Sequence, residues 1–503
     1  MTQLRFCTDR FQVASLLRCA IATALLLSLT VSCAIVPRPV RSVHVGEDSP
    51  AGRCADLFQD IDDRVARAQV IDPGAFRIDD FPYLRTDRFL ASFKDEVADE
   101  ASFSAWLDRL VALDRESRRF ELANLNGFVP FGDPNLDAVM ERVVACGETL
   151  RGVDFDDPSA RSAMAASVEA PEDYILPRRW LGLYPLTRFF VSLGVSNWHR
   201  QARDAFSNRP PGSWQSNRYS PLRNGPPGQT GRWLAGLKRD ALGILDDDDD
   251  LRRDLFMRYA PVWEIRDGGP ADRIGRPVWG GDGNIDIDTA DPVTYTLMSF
   301  TRFKGRILTQ LNYVVWFPAR PKAHPFDLFG GLLDGIIYRV TLAEDGVPLL
   351  YETVHNCGCY YKAYPTDRLA VVQNPPYAEP PLVLTAPALD HSSSMMAIAV
   401  ESGTHYVNHL YPVPRRKAGA DSTENYALSP YGNLRSLEAG KGERRSMFQQ
   451  SGITRGTQRL ERLILWPTGV YSPGAMRQWG RHAVAFAGKR HFDDPFYMDK
   501  MFR

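Results

Sequence analysis

Apolar positions recur at helical spacing in the N-terminal part of the chain and at strand spacing in the C-terminal part. Ala105, Leu107, Leu110, Val111 and Leu113 mark one stripe, and Leu136, Val139, Met140, Val143 and Val144 mark another. A 3.6-residue period of this kind predicts amphipathic helices. Asp133-Pro134 before the second stripe is a helix-start signal. Cys54 opens a further helix, and residues 136–150 carry Cys146 near their end. From Val293 the period shortens to two, with Val293, Tyr295 and Leu297 alternating against Thr294, Thr296 and Met298. Lys304-Gly305 then separates this run from residues 306–317, which predicts a long hairpin. A second hairpin is expected over residues 336–342 and 347–354, turned at Glu344-Asp345-Gly346. Residues 368–372, 382–385 and 395–400 are further strand candidates. Pro375-Pro376 and Pro380-Pro381 prevent one continuous strand there.

These periods predict an α+β fold: a helical N-terminal half over residues 54–260 and an antiparallel β-sheet C-terminal half over residues 261–503, closed by a C-terminal helix and loop. Residues 174–193, with Trp180, Tyr184, Phe189 and Phe190, read as a packed segment. Residues 208–231 are rich in proline and glycine and read as an excursion or linker. A short helix is expected over residues 233–245. The aspartate run 246–250 lacks the alternating ligands and turning glycine of a calcium loop, so it reads as a solvated charge run.

The 503 residues are 44% hydrophobic and 24% charged, which excludes a disordered chain. Sixty basic against sixty-one acidic residues leave a net charge of −1, so no field of one sign is present to hold nucleic acid. The one long apolar run, residues 19–36, follows Arg5, Arg10 and Arg18, which is the layout of a secretory signal over residues 1–33. It closes on Leu29-Thr30-Val31-Ser32-Cys33, which resembles the bacterial lipobox, although Thr30 stands where leucine is usual. The resemblance implies lipidation at Cys33 and attachment to a membrane through that anchor. Ala34 after the cysteine favours the outer membrane, facing the periplasm; a soluble periplasmic or inner-membrane-anchored chain is the alternative. Residues 34–53, with three prolines, read as a tether.

Export sets how the remaining cysteines are read. Cys54, Cys146, Cys357 and Cys359 allow three pairings in an oxidising compartment. A Cys54–Cys146 bridge would tie the first helix to the third. The densest chemistry lies at His355-Asn356-Cys357-Gly358-Cys359-Tyr360, directly after a predicted strand. Three readings compete there. His355, Cys357 and Cys359 suit zinc or copper, with His405 as fourth ligand and His391 the next candidate, though Cys-x-Cys is not the usual zinc spacing. The two cysteines bond to each other, with Gly358 bending the chain. Or one cysteine is a nucleophile with a histidine as base. The plain alternative is that both are simply buried.

Further along, His491 with Asp493 or Asp494 reads as an oriented acid/base pair, and Arg477, Arg481 and Arg490 as an anion clamp, against a C-terminal segment pinned by Arg–Asp pairs. Residues 81–90 interleave Arg85 and Arg88 with apolar positions, either as a binding loop or as arginines paired to nearby acids. Gln310 and Asn312 share a face of an otherwise apolar strand and need partners there. There is no GxGxxG, P-loop, HExxH or GxSxG motif, so the common dinucleotide, nucleotide, zincin and α/β-hydrolase readings lose their footing.

Gln310 to Tyr313 with Trp316 to Pro318, His355 to Tyr360, Ser402 to Tyr406 and Arg477 to Asp494 together resemble a family of proteobacterial envelope proteins with a His-x-Cys-Gly-Cys-Tyr motif. The resemblance implies export or lipid anchoring and carries no activity. Two functions follow as expectations. One is a periplasm-facing binding, assembly or maintenance lipoprotein. The other is a zinc- or copper-dependent hydrolase built on His355, Cys357, Cys359 and His405 and assisted by His491 or Asp493.

Overall fold

The computed structural model describes residues 49–503 except 98, 127–134, 156–157, 208–214, 223–233, 247 and 416–423. The signal run, Cys33 and most of the tether lie outside the described residues.

Three helices carry the N-terminal stripes. Helix α1, Pro50–Ala68, starts where the Ser49 hydroxyl accepts the Gly52 N–H, and it buries Leu57, Phe58, Ile61 and Val65. Helix α2, Glu100–Ala123, is capped by Asp99 and buries Trp106, Leu107, Leu110 and Val111. Helix α3, Leu136–Asp154, is capped by Asn135 and buries Val139, Met140, Val143 and Leu150. Cys54 on α1 and Cys146 on α3 are joined as a disulfide. Residues 81–90 are not a loop. Phe81–Thr86 is a fully buried strand paired with Phe76–Ile78, and Arg88–Ala91 a short helix. Arg85, with no solvent exposure, donates to Asp114 at 3.0 Å and to Glu121 at 2.7 and 2.8 Å. Arg118 donates to Asp114 and Asp62 at 2.8 and 2.7 Å. The arginines of this region are therefore paired with its acids.

The body is one eleven-stranded sheet. In chain order its strands are β1 (Ser216–Pro221), β2 (Val262–Arg266), β3 (Val293–Phe303), β4 (Arg306–Arg320), β5 (Gly331–Leu342), β6 (Pro348–His355), β7 (Lys362–Pro365), β8 (Leu382–Val383), β9 (Ser394–Val400), β10 (Val407–Pro414) and β11 (Glu424–Pro430). They lie in the order β8-β7-β6-β5-β4-β3-β11-β1-β2-β9-β10. The run β3 to β7 is an antiparallel meander that contains both expected hairpins, and Phe303 pairs with Arg306 across Lys304-Gly305. Both turn residues have positive φ, which a two-residue hairpin turn requires.

The expectation of a purely antiparallel C-terminal sheet is corrected. β7–β8, β2–β9, β11–β1 and β11–β3 are parallel, so the sheet is mixed within an α+β fold. It also starts earlier than residue 261, because β1 lies inside the stretch read as a linker and pairs with β2 and β11. The helix expected over 233–245 is largely an irregular turn, in which the Asp240 carboxylate accepts from Leu242 and Ile244 N–H. Residues 368–372 form only one isolated bridge, Val371 to Phe502.

Both faces of the meander are covered. Leu311, Tyr313, Val315, Tyr338 and Tyr351 join one core, onto which Trp198, Ala202 and Phe206 pack. Val314, Trp316, Ile337 and Val354 face a second core with Met476, Phe492, Met498 and Phe502 from the C-terminal segment. Double-sided burial accounts for the nearly unbroken apolar run of β4. Gln310 and Asn312 sit within it as ordinary sheet partners of Ser299 and Thr341. Among the described residues no helix is long and apolar enough to cross a membrane.

Candidate functional site

Helix α4, Tyr184–Ser207, packs on the first core through Trp198, Ala202 and Phe206 and has no fully buried residue. Its Val191, Val195 and Trp198, one face by their spacing, line an apolar cavity of about 550 Å³. Phe329, Tyr360, Tyr406, Leu465 and Phe486 complete much of the lining, with Cys359, Glu461, Glu379 and Arg490 as polar members. A larger trough of about 880 Å³ lies beside Arg203, Tyr351 and Arg368, but Arg368 is held there by Asp345 at 3.0 Å. Most of the cavity's polar lining is paired: Glu379 accepts from the Phe486 and Ala487 N–H groups, and Arg490 donates to the Glu379 and Val484 carbonyls.

Glu461 is the exception. It is 6% exposed, and among the described residues no hydrogen bond or ion pair reaches its carboxyl group. Burial raises its pKa to about 7, against the pull of Arg459 and Arg320. Close by, the buried Lys362 ammonium donates to the Val407 carbonyl and lies 5.5 Å from the centre of the Trp198 ring. Burial draws it down to about 7.

Next to the cavity lies a buried charge cluster centred on Asp334, near the start of β5. Its carboxylate is 3.0 Å from His405 Nδ1, 3.4 Å from His355 Nδ1 and 3.7 Å from Arg459. Burial opposes ionisation of Asp334, but His355, Arg459 and His405 hold its carboxyl well below the ordinary range. His405 Nε2 lies 3.3 Å from Asp272, at an angle too poor for a good hydrogen bond. Asp272 also accepts the Ser402 hydroxyl at 2.8 Å and the Gly403 N–H at 2.6 Å. Burial lowers the His405 pKa, but its two carboxylates outweigh that and raise it. For His355, burial prevails over Asp334 and the pKa falls. His355 Nε2 has no hydrogen-bond partner. The His355 ring stands edge-on to Tyr360 at 4.9 Å, and Tyr360 meets Tyr406 at 4.6 Å. Since both tyrosines line the cavity, the charge cluster is one aromatic layer away from it.

The loop between His355 and Tyr360 reaches this place by a tight turn. Gly358 has φ of +91°, and a Cβ there would lie 2.5 Å from the Ala483 carbonyl oxygen, so only glycine fits. Cys357 and Cys359 are buried free thiols, not bonded to each other. The Cys359 N–H donates to Cys357 Sγ at 3.4 Å. Contact with Cys357, then burial, pushes the Cys359 thiol well above its ordinary value, which is the opposite of an activated nucleophile.

The expected metal quartet does not converge. His355 and His405 both turn Nδ1 to Asp334, while the sulfurs of Cys357 and Cys359 face each other. Among the described residues no group of three or more His, Cys, Asp or Glu side chains is arranged to hold a metal. His391, the reserve ligand, bonds instead to the Tyr351 hydroxyl at 2.8 Å.

His491 and Asp493, the proposed acid/base pair, feel each other's charge, but each is also engaged with other residues. Asp493 accepts from Arg88 at 3.1 Å, and Arg88 donates to Asp173 at 2.8 Å. His491 Nε2 accepts the Asp173 N–H at 3.4 Å, and burial lowers its pKa. Arg481 pairs with Asp173 at 2.7 Å. Arg477 donates to the carbonyls of Cys357 and Ser472, and Arg490 to those of Glu379 and Val484. These groups pin the C-terminal segment in place of clamping an anion.

Sequence reasoning missed Asp334, Asp272, Glu461 and the lining of α4. A charge inside the apolar run Leu332-Leu333-Asp334-Gly335-Ile336 was the available signal for the first. Comparisons with protein-family models, curated proteins and solved structures give no match to this chain.

Proposed function

We propose that this chain is a binding protein of the bacterial cell envelope, anchored through Cys33 to the outer membrane and facing the periplasm. Its cavity beside α4 holds an apolar, acyl-chain-like ligand, with the polar end of that ligand at Glu461. The carrying observation is the cavity itself: about 550 Å³, lined by Val191, Val195, Trp198, Tyr360 and Tyr406, with one buried carboxyl, Glu461, that has no partner among the described residues. Small-molecule sites are mostly apolar clefts of about 300–1,000 Å³ with a few placed polar groups. A carboxyl group that keeps its proton near neutrality can donate a hydrogen bond to an ester or amide carbonyl. The Cys54–Cys146 bridge and the signal-like N-terminus support an exported, oxidised setting. The metal-dependent hydrolase reading finds no support in the separated ligands.

Titration of the full chain with a dansyl-labelled fatty acid tests the ligand. Saturable binding is expected, and Val195→Trp, which fills the cavity, should weaken it. Displacing even two buried methylenes at about 0.8 kcal/mol each corresponds to roughly tenfold. Equal binding by wild type and variant overturns the reading. For the anchor, Cys33→Ala should abolish lipid labelling; a variant that still takes up label means that Cys33 is not the modified residue.

A further inference from the structure

Residues 174–193, expected to be packed, are largely exposed. Helix α4 has a second apolar stripe, Leu186, Phe189, Phe190 and Leu193, one face by its spacing of three and four. All four are exposed, Phe190 to 72%. The preceding short helix, Leu176–Leu181, adds Trp180 at 80% and Leu181, and Leu463, Ile464 and Trp466 are exposed on the segment opposite. Gly182 seats the two segments together, since a Cβ there would meet Pro467 at 2.4 Å. A half-helix that is apolar on both faces is ordinarily buried, and an exposed apolar patch of this extent marks an interaction surface.

Charge selects the occupant. From Tyr174 to Arg203 there is no acidic residue, while Arg178, Arg179, Arg188, Arg200 and Arg203 all fall within that stretch. Arg188, Arg200 and Arg203 are exposed. Aromatic and leucine side chains interleaved with arginine, without acids, are the chemistry of a helix lying in the interface of an anionic bilayer. Phe190 and Ile464 belong both to this patch and to the cavity lining, so the cavity opens within the patch.

We infer that this face docks on an anionic lipid bilayer, with Trp180, Phe189 and Phe190 entering the interface, and that the cavity receives its acyl chain directly from that bilayer. The second clause rests on the ligand reading above; the docking stands without it.

The full chain, in vesicles of phosphatidylglycerol and phosphatidylethanolamine, carries photoreactive benzoylphenylalanine at position 189 or, as a control, at the exposed position 441. Lipid adducts at 189 should exceed those at 441 roughly tenfold, and fall severalfold with Arg188→Glu or when phosphatidylcholine replaces phosphatidylglycerol. Equal yields at the two positions overturn the docking. So do adducts from 189 to residues 19–36 of the same chain, or to a second copy, since either would mean that protein covers the face. The dansyl fatty acid, titrated without vesicles, separates the two ideas. Adducts without probe binding support the docking and remove only the acyl ligand. Probe binding without adducts overturns the docking and leaves the cavity reading in place.

Discussion

Two clusters of charge are buried in this molecule, and they are resolved differently. Between α1, α2 and the hairpin strand Phe81–Thr86, Arg85 and Arg118 meet Asp62, Asp114 and Glu121 in close pairs of 2.7–3.0 Å. Beside the apolar cavity, Asp334 gathers His355, His405 and Arg459 at 3.0–3.7 Å, His355 Nε2 has no partner, and Glu461 faces the lining alone. Close pairing of carboxylates with guanidinium groups fixes the geometry of the helices, although Arg77, 3.0 Å from Asp62, keeps buried nitrogens without a hydrogen bond. Unfilled hydrogen-bonding capacity at the rim of a cavity is a cost that binding can remove. The comparison therefore separates framework from site without any appeal to motif.

Breaking the framework should have the largest effects. Cys146→Ser opens a loop that spans 92 residues, and about 4–5 kcal/mol of stability should go with it, measured by denaturant unfolding under oxidising conditions. Arg118→Met leaves Asp62 and Asp114 short of a cation in the interior, for a loss of about 3–5 kcal/mol by the same measurement. A loss below 1 kcal/mol in either variant would erase the contrast with the cavity side.

Glu461→Gln should act in the opposite direction. The carboxyl pKa is about 7 in the fold, against about 4.3 in an unfolded chain. Below the unfolded value both states are protonated and stability is full. Between the two values the unfolded chain ionises first, so stability declines as pH rises, and it levels off above 7. The glutamine variant escapes that decline. It should be more stable than wild type by on the order of 1–3 kcal/mol at pH 8, with the difference shrinking toward pH 4. A stability difference that does not change with pH would mean that the carboxyl has a partner. The smallest effect belongs to the exposed face: Phe190→Ser should change unfolding stability by no more than about 0.5 kcal/mol, because the ring packs on little of the protein.

Where local pattern and tertiary context agree, the fold was legible. Helices α2 and α3 announce themselves by their apolar period, α3 also by Asp133-Pro134 ahead of it, and the β3–β4 hairpin by its alternation about Lys304-Gly305. Strand β1 was hidden because Ser216–Pro221 lies among prolines and finds its β11 partners some two hundred residues later. The site was half legible. His355 and His405 were singled out by residue type, but the carboxylates they contact, Asp334 and Asp272, are remote in sequence. Residues 176–193 were misread because apolar side chains were equated with burial, a rule that holds in one direction only.

Strand β11 carries a consequence for how this protein comes to be made. Glu424 to Tyr426 pair with β1, and Ala427 to Pro430 pair with β3, so this short strand alone stitches two half-sheets together. A chain emerging N-terminus first has synthesised both half-sheets almost entirely before the stitch arrives. Until then β1 and β3 each present an open edge, the template on which strands of other molecules add. Assembly must therefore be slow relative to the local hairpins, and a chain stalled short of residue 430 would be a seed for aggregation.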